Sequence, residues 1–308
     1  MLRLPVDLLS RLPVIGGSDD LLDDVEPGLD ATVVVDDGSG PHATAVVASV
    51  ASGRVWFTTA RSAYKCAVLR RNPEIGMLLP RRNGGWVSVH GTANVLDAFR
   101  PHESVRALDD VARSGMAAAR LLAEHPGDLA GYARRAGSVP LEWLPPQRAL
   151  VAVAPSRVLV IDDTGEIRHR RGHWSSMLPR PAHADVALPV LVAGPEWVRD
   201  RMDTPGEITV GWGADDGLIA MPGRWHGDRA DFDVPTSLVQ AAGTPSSAPV
   251  AVMILSPDRE DGPTGKRGLC LRGTGIVVDI APERSAVSLA LERIHWWEGF
   301  QSGTLRPR

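Results

Sequence analysis

Cysteine is scarce in this chain. Its 308 residues hold two, Cys66 and Cys270, too few for a disulfide framework or a four-thiolate metal site. A reducing cytoplasm is the expected compartment. Long apolar runs are also missing. Pro5, Asp7, Arg11 and Pro13 interrupt the opening MLRLPVDLLSRLPVIGG, and no segment nears the ~18 apolar residues of a membrane span. Residues 1–24 are expected to form an arm, with no membrane partner. Nor is there an excess of positive charge. The net charge is −4 and the sequence pI about 6.1, which removes the footprint of a nucleic-acid binder. Familiar site motifs are absent too. GPTGKRG (262–268) lacks the hydroxyl residue that a P-loop needs after Lys266. His169 and His173 have no carboxylate or thiolate spaced to complete a site, so no metal is expected.

What is present is ordinary globular material, 44% apolar and 23% charged, in a chain long enough to bury a core. Short runs rich in Val, Thr and Ile read as strands: 31–35, 42–50, 54–59, 75–80 and 86–96. Turn signals separate them at 36–41, 51–53 and 81–85, the pattern of an antiparallel meander. From His102 the apolar spacing becomes three and four until Pro126 stops it, which predicts a helical insertion at about 101–136. Residues 148–162 return to strand.

The chain also resembles itself. VHGTANVLD (89–97) matches LRGTGIVVD (271–279), and PEIGMLLP (73–80) matches PVAVMILSP (249–257). VAPSRVLVID (153–162) matches LALERIHWWE (289–298), with Arg157 and Arg293 in step. GRVWFTTAR (53–61) is matched with GLIAMPGR (217–224). The expected organisation is an arm (1–24), a β-rich unit (25–165), a link rich in Pro, Arg and His (166–185) and a second unit (186–308). The second unit lacks the polar group that distinguishes the first, so one working site and one degenerate site are expected.

That polar group lies in FTTARSAYKCAVLRRNP (57–73). A strand ends in Thr58-Thr59, Ser62 is placed to cap a helix, and Pro73 closes that helix at Asn72. A helix N-terminus attracts anions. Lys65 lies one turn in, pointing back toward that N-terminus, with Arg61 beside it. The same strand–turn–helix arrangement also occurs in folds that bind nothing, so the hydroxyls and cations must carry the phosphate reading.

The run W-F-T-T-x-x-S-x-x-K-x-x-x-L-x-R-N-P, followed by W-V-x-V-x-G-x-A-x-V, resembles the pyridoxamine 5′-phosphate oxidase-like split β-barrel superfamily of flavin and deazaflavin oxidoreductases. The resemblance spans about residues 28–100 and the 148–162 strand. It implies a mainly β fold, tandem split β-barrels forming a pseudo-dimer within one chain, with a further homodimer as an option. It implies that Thr58, Thr59, Ser62 and Lys65 hold the 5′-phosphate of a flavin, with Arg61 adding charge. The strand PHATAVV would line the ring, through His42, Thr44 and Val46 or through Ala43 and Ala45. Trp86 is a further cofactor-site candidate. The second unit would supply a partner wall from Arg293, His295, Trp296 and Trp297. The expected function is an FMN-binding oxidoreductase moving hydride between the flavin and a small organic substrate. Alternatives are a deazaflavin-dependent reductase, or a non-catalytic flavin-binding, haem-binding or cofactor-free protein on the same scaffold.

Overall fold

The computed structural model describes residues 21–28, 30–100, 107–125, 147–184, 186, 194–214, 217–227, 230–256, 266–299 and 301–307. The chain is mainly β, and the described residues form two closed six-stranded antiparallel barrels and four helices. Most of the expected arm, the flanks of the expected insertion and residues 262–265 lie outside the described residues.

Barrel 1 contains β1 (Asp30–Asp36), β2 (Pro41–Ala51), β3 (Arg54–Ala60), α1 (Tyr64–Arg71), β4 (Glu74–Pro80), β5 (Trp86–Leu96), α2 (Leu108–Glu124), β6 (Arg148–Ile161) and β7 (Ile167–Arg171). Barrel 2 contains α3 (Glu196–Met202), β8 (Gly206–Ala214), β9 (Gly217–Trp225), β10 (Asp231–Pro235), α4 (Thr236–Ala242), β11 (Ser247–Leu255), β12 (Arg267–Ile280), β13 (Arg284–Glu298) and β14 (Gln301–Leu305). The sheet orders are β3-β2-β1-β4-β5-β6-β7 and β10-β9-β8-β11-β12-β13-β14. Pairing of β3 with β6, and of β10 with β13, closes each barrel.

The two orders are the same list shifted by seven strands, so each strand has a counterpart. Even the bulges coincide. The β5–β6 register slips at His90/Gly91 and the β12–β13 register at Arg272/Gly273. One sequence match is corrected. GLIAMPGR lies on β9, the counterpart of β2, so the segment that corresponds to RVWFTTA is β10, DFDVP. Both stretches are short and apolar before a turn, and identity alone could not tell one hairpin arm from the next.

Alternation builds each core. Val33, Val35, Val55, Phe57, Met77, Val87, Val89, Val151 and Val153 fill barrel 1. Trp212, Trp225, Phe232, Val250, Leu271 and Val287 fill barrel 2. A third cluster lies where the barrels meet: Val34, Ala43, Leu78, Leu218, Ala220, Ala251, Met253 and Cys270. There Ser88 Oγ donates to the Ala220 carbonyl at 2.6 Å. Its counterpart, Cys270 Sγ, accepts from the Ala43 amide at 3.4 Å. No helix among the described residues is long and apolar enough to cross a membrane.

Candidate functional site

Between the barrels lies a cleft of about 520 Å³. Its first wall is β2, the end of β3 and the start of α1. Its second wall is the β13–β14 hairpin of barrel 2.

The first wall carries the cations. Arg148 opens β6 opposite Ala60. Its Nε donates to Thr58 Oγ1 at 3.1 Å and its Nη2 to the Thr58 carbonyl at 3.0 Å. Lys65 Nζ donates to Thr44 Oγ1 at 3.3 Å. Burial, and then the charge of Arg148, bring the Lys65 ammonium down to about 8. Two cations held close in a half-buried place favour an anion between them. Thr59 Oγ1 is buried and has no hydrogen-bond partner among the described residues. The donor set therefore fits a phosphate or carboxylate.

The second wall carries aromatic rings. Trp296 pairs with Gly303 and Trp297 with Gly268 across adjacent strands. A Cβ on Gly303 would lie 2.7 Å from the Trp296 ring, and one on Gly268 2.1 Å from the Trp297 ring. Only glycine lets both indoles lie flat along the sheet. Trp297 packs at the junction of the barrels, while Trp296, on the other face of β13, packs on the core of barrel 2 beside Trp197. Facing Trp297, alternation along β2 turns Ala43 and Ala45 toward barrel 2, with Val46 in the core of barrel 1. Small side chains on that face leave room for a flat ring.

At one end, His42 from barrel 1 meets His295 from barrel 2, ring centroids 5.2 Å apart and edge-on. Tyr64 lies 5.0 Å from His42 on its other side. Burial, then the charges of His295, Arg272 and Lys65, hold His42 down at about 3. Burial, then Arg272 and Arg293, hold His295 at about 4. Both imidazoles are neutral at pH 7. Nδ1 of His295 shares a hydrogen bond with Thr304 Oγ1 at 2.9 Å. Its Nε2 is buried without a partner among the described residues. Cys270 lies 3.9 Å from His42 Nδ1, with its thiol pushed up to about 11 by burial, so it is no nucleophile.

Of the expected residues, His42, Thr44, Val46, Thr58, Thr59, Lys65, His295 and Trp296 line the cleft. Four others lie elsewhere. Arg61 turns to Asp97 Oδ1 (3.4 Å) and Gln147 Oε1 (2.7 Å) and covers the Phe99 ring at 3.7 Å. Ser62 is exposed and is not the helix cap. A turn from Ala60 to Ala63 delays the helix, and the capping position falls to Ala63. Trp86 packs between the two barrels against both apolar clusters. Arg293 lines a separate, smaller cleft.

Two cations of the cleft are new. Arg148 is brought in by β3–β6 pairing, which local spacing does not reveal. Lys266, ion-paired to Asp30 at 2.5 Å, comes from the start of barrel 2's long hairpin. A signal for it existed. Lys65 and Lys266 are the only lysines in 308 residues, and both line this cleft. Among the described residues, no group of three or more His, Cys, Asp or Glu is placed to hold a metal.

No family model matches the chain, and no curated protein matches it. Solved structures do. General Stress Protein 26 from Bacillus anthracis str. Sterne is 12% identical, with 48% of this chain and 95% of that one covered and a TM-score of 0.30. A pyridoxamine 5′-phosphate oxidase-related, FMN binding protein from Nostoc punctiforme is 14% identical, with coverage of 46% and 78% and a TM-score of 0.32. An F420 reductase is 14% identical, with coverage of 46% and 98% and a TM-score of 0.29.

Proposed function

We propose that the inter-barrel cleft binds a flavin or deazaflavin, and that the protein is an oxidoreductase acting on a small organic molecule. One observation carries the reading. Lys65, Arg148 and the unpartnered Thr59 hydroxyl gather on one wall, opposite Trp297 and His295 from the other barrel. Charge-assisted hydrogen bonds are the strong ones, and Lys65, Arg148, Thr58 and Thr59 would hold the phosphate. A volume of about 520 Å³ suits a cofactor-sized ligand.

When bound, such a ring supplies acceptance or donation of hydride. The chain's own residues bind, orient and exclude water. Ala43 and Ala45 leave the ring its slot, and Trp297 covers it. His42 and His295, neutral at pH 7, offer N–H and lone-pair contacts without charge. FMN is the first probe, since the cationic wall is compact, and F420 is the second.

The test is the visible spectrum of the purified protein titrated with each cofactor. A shifted spectrum with quenched ring fluorescence supports the reading. Spectra that simply add, for both cofactors, overturn it.

A further inference from the structure

The second barrel carries two guanidiniums where the first carries a histidine and an arginine, and it lacks the carboxylate that stands beside them there. In barrel 1, His90 and Arg157 face each other beside the β5–β6 bulge. Arg157 Nε donates to His90 Nδ1 at 3.2 Å, and His90 Nε2 meets Glu74 Oε1 at 2.9 Å. Glu74 sits opposite Thr92 on the neighbouring strand. In barrel 2 the same register places Arg272 and Arg293 face to face. The position of Glu74 is taken by Pro249, opposite Thr274. Two guanidiniums directly across a ladder repel each other.

A cleft of about 150 Å³ opens there. It is lined by Arg272, Arg293 and Pro249, with the Ser39–Gly40 turn and the Gly273–Thr274 backbone. Arg272 is 7% exposed. Its Nη2 donates to the Gly40 carbonyl at 2.9 Å and to Ser39 Oγ at 3.1 Å, with the Asp37 carboxylate at 3.5 Å. Asp37 thus offsets one of the two charges. Among the described residues, Arg293 has no hydrogen bond or ion pair. Glu292, the bulged residue, stands exposed on the rim.

We propose that Arg272 and Arg293 form a binding site for a small oxyanion, a phosphate or a carboxylate, seated where barrel 1 carries the Glu74 carboxylate. A planar guanidinium presents paired donors that match either group. The volume admits the bare ion or the anionic end of a small metabolite. The site is separate from the Lys65 wall and does not depend on the cofactor reading.

The experiment is calorimetric titration of the full chain with inorganic phosphate and, separately, with acetate, at low ionic strength. Wild type, Arg293→Gln, Arg293→Lys and Lys65→Ala are compared. The expected result is that at least one anion binds to wild type and to Lys65→Ala, about tenfold more weakly to Arg293→Gln, with part of the loss restored in Arg293→Lys. Phosphate alone would identify a phosphate site, acetate alone a carboxylate site, and both a general oxyanion site. Binding that disappears in Lys65→Ala, persists unchanged in Arg293→Gln, or is absent for both anions overturns the proposal. Melting curves with and without phosphate guard against misfolding. The anion raises Tm in Lys65→Ala and not in the double variant Lys65→Ala, Arg293→Gln.

Discussion

Thr32 and Thr209 hydrogen-bond to each other between the barrels, Oγ1 to Oγ1 at 3.2 Å, and both are buried. They hold the same place in the two copies, since Thr32 pairs with Leu78 and Thr209 with Met253. The pseudo-two-fold axis passes between them. Two residues along each strand the symmetry breaks in favour of packing. Val34 fills the space at its counterpart Gly211, where a Cβ would lie 2.6 Å from Val34 Cγ1. Replacing either threonine by valine strands the other hydroxyl, at a cost of about 1–3 kcal/mol. The double variant removes both polar groups and costs less than the sum. Urea unfolding of the three variants checks this. Strict additivity would show that the hydroxyls do not depend on each other.

Lys65 makes anion binding depend on pH. Its free-state pKa of about 8 means that the ammonium is lost as pH rises through 8. A bound phosphate favours the ammonium and raises that pKa. Flavin affinity therefore falls above pH 8, by up to about tenfold per unit, and is flat from there down to about pH 7. Lys65→Ala loses about 1.5–3 kcal/mol of affinity, one charged hydrogen bond, and the pH dependence with it. Arg148→Met moves the break to higher pH, because Arg148 is the charge that depresses Lys65. Fluorescence titration between pH 7 and 10 reads all three.

The fold was legible because the repeat and the strand alternation are both local in sequence. Bulge, register and strand order then coincide between copies without any long-range information. The site was legible only in part. Thr58, Thr59 and Lys65 sit together along the chain, and the indoles of Trp296 and Trp297 could be guessed as a wall. Arg148 reaches Thr58 through a strand pairing that spans the whole helical insertion, and nothing local announces it. Arg61 was misplaced for the opposite reason. Adjacency to the motif suggested a ligand role, but Asp97, buried nearby, claims its charge.

That competition gives a third prediction. Asp97 is 2% exposed and faces Arg61 at 3.4 Å and Arg70 at 2.6 Å. Asp97 Oδ1 also accepts the Phe99 amide. Removing the carboxylate leaves two cations without it, and Asp97→Ala is expected to cost about 3–5 kcal/mol of stability. Arg61→Met lowers stability while leaving flavin affinity per folded molecule unchanged. A parallel loss of affinity in Arg61→Met would return Arg61 to the site.

The His42–His295 pair makes the fold acid-sensitive. Both pKa values, about 3 and about 4, lie below the ordinary 6.5. Between these limits the unfolded chain binds protons that the folded chain refuses, so stability falls as pH drops below about 6.5. Each histidine costs up to about 1.4 kcal/mol per pH unit, with less from half-buried His295, which solvent screens. His42 is faced by Tyr64 and Lys65 from α1, His295 from β13, Arg272 and Cys270 from β12, and Asp37 from the preceding turn. Of these only Asp37 favours a second proton on His42, and burial with the charges of His295, Arg272 and Lys65 outweighs it. Urea midpoints at pH 7 and pH 5 should separate more in wild type than in His42→Asn. Equal separation would mean that the histidines titrate normally.

Pseudo-symmetry would allow a second cofactor site, and the structure closes it. The counterpart of α1 is α4, whose sequence TSLVQAA carries no lysine or arginine. Its first residue is already occupied, with Thr236 Oγ1 on the Ala281 carbonyl at 2.7 Å and Ser285 Oγ at 2.9 Å. Ser237 Oγ donates to the Gly165 carbonyl in the β6–β7 turn at 3.0 Å. That turn presses on Pro235 so closely that a Cβ on Gly165 would lie 2.6 Å away. The positions of Trp296 and Trp297 are held by Val160 and Ile161 on β6. Ring wall, lysine and entrance are therefore missing from the second copy, and only Arg284, exposed opposite Pro235, keeps the place that Arg148 holds opposite Ala60. The expected stoichiometry is one flavin per chain, measured by equilibrium titration against protein concentration. A value near two would mean that the β6–β7 turn swings away from α4, and Ser237→Ala would then raise affinity at the second site alone.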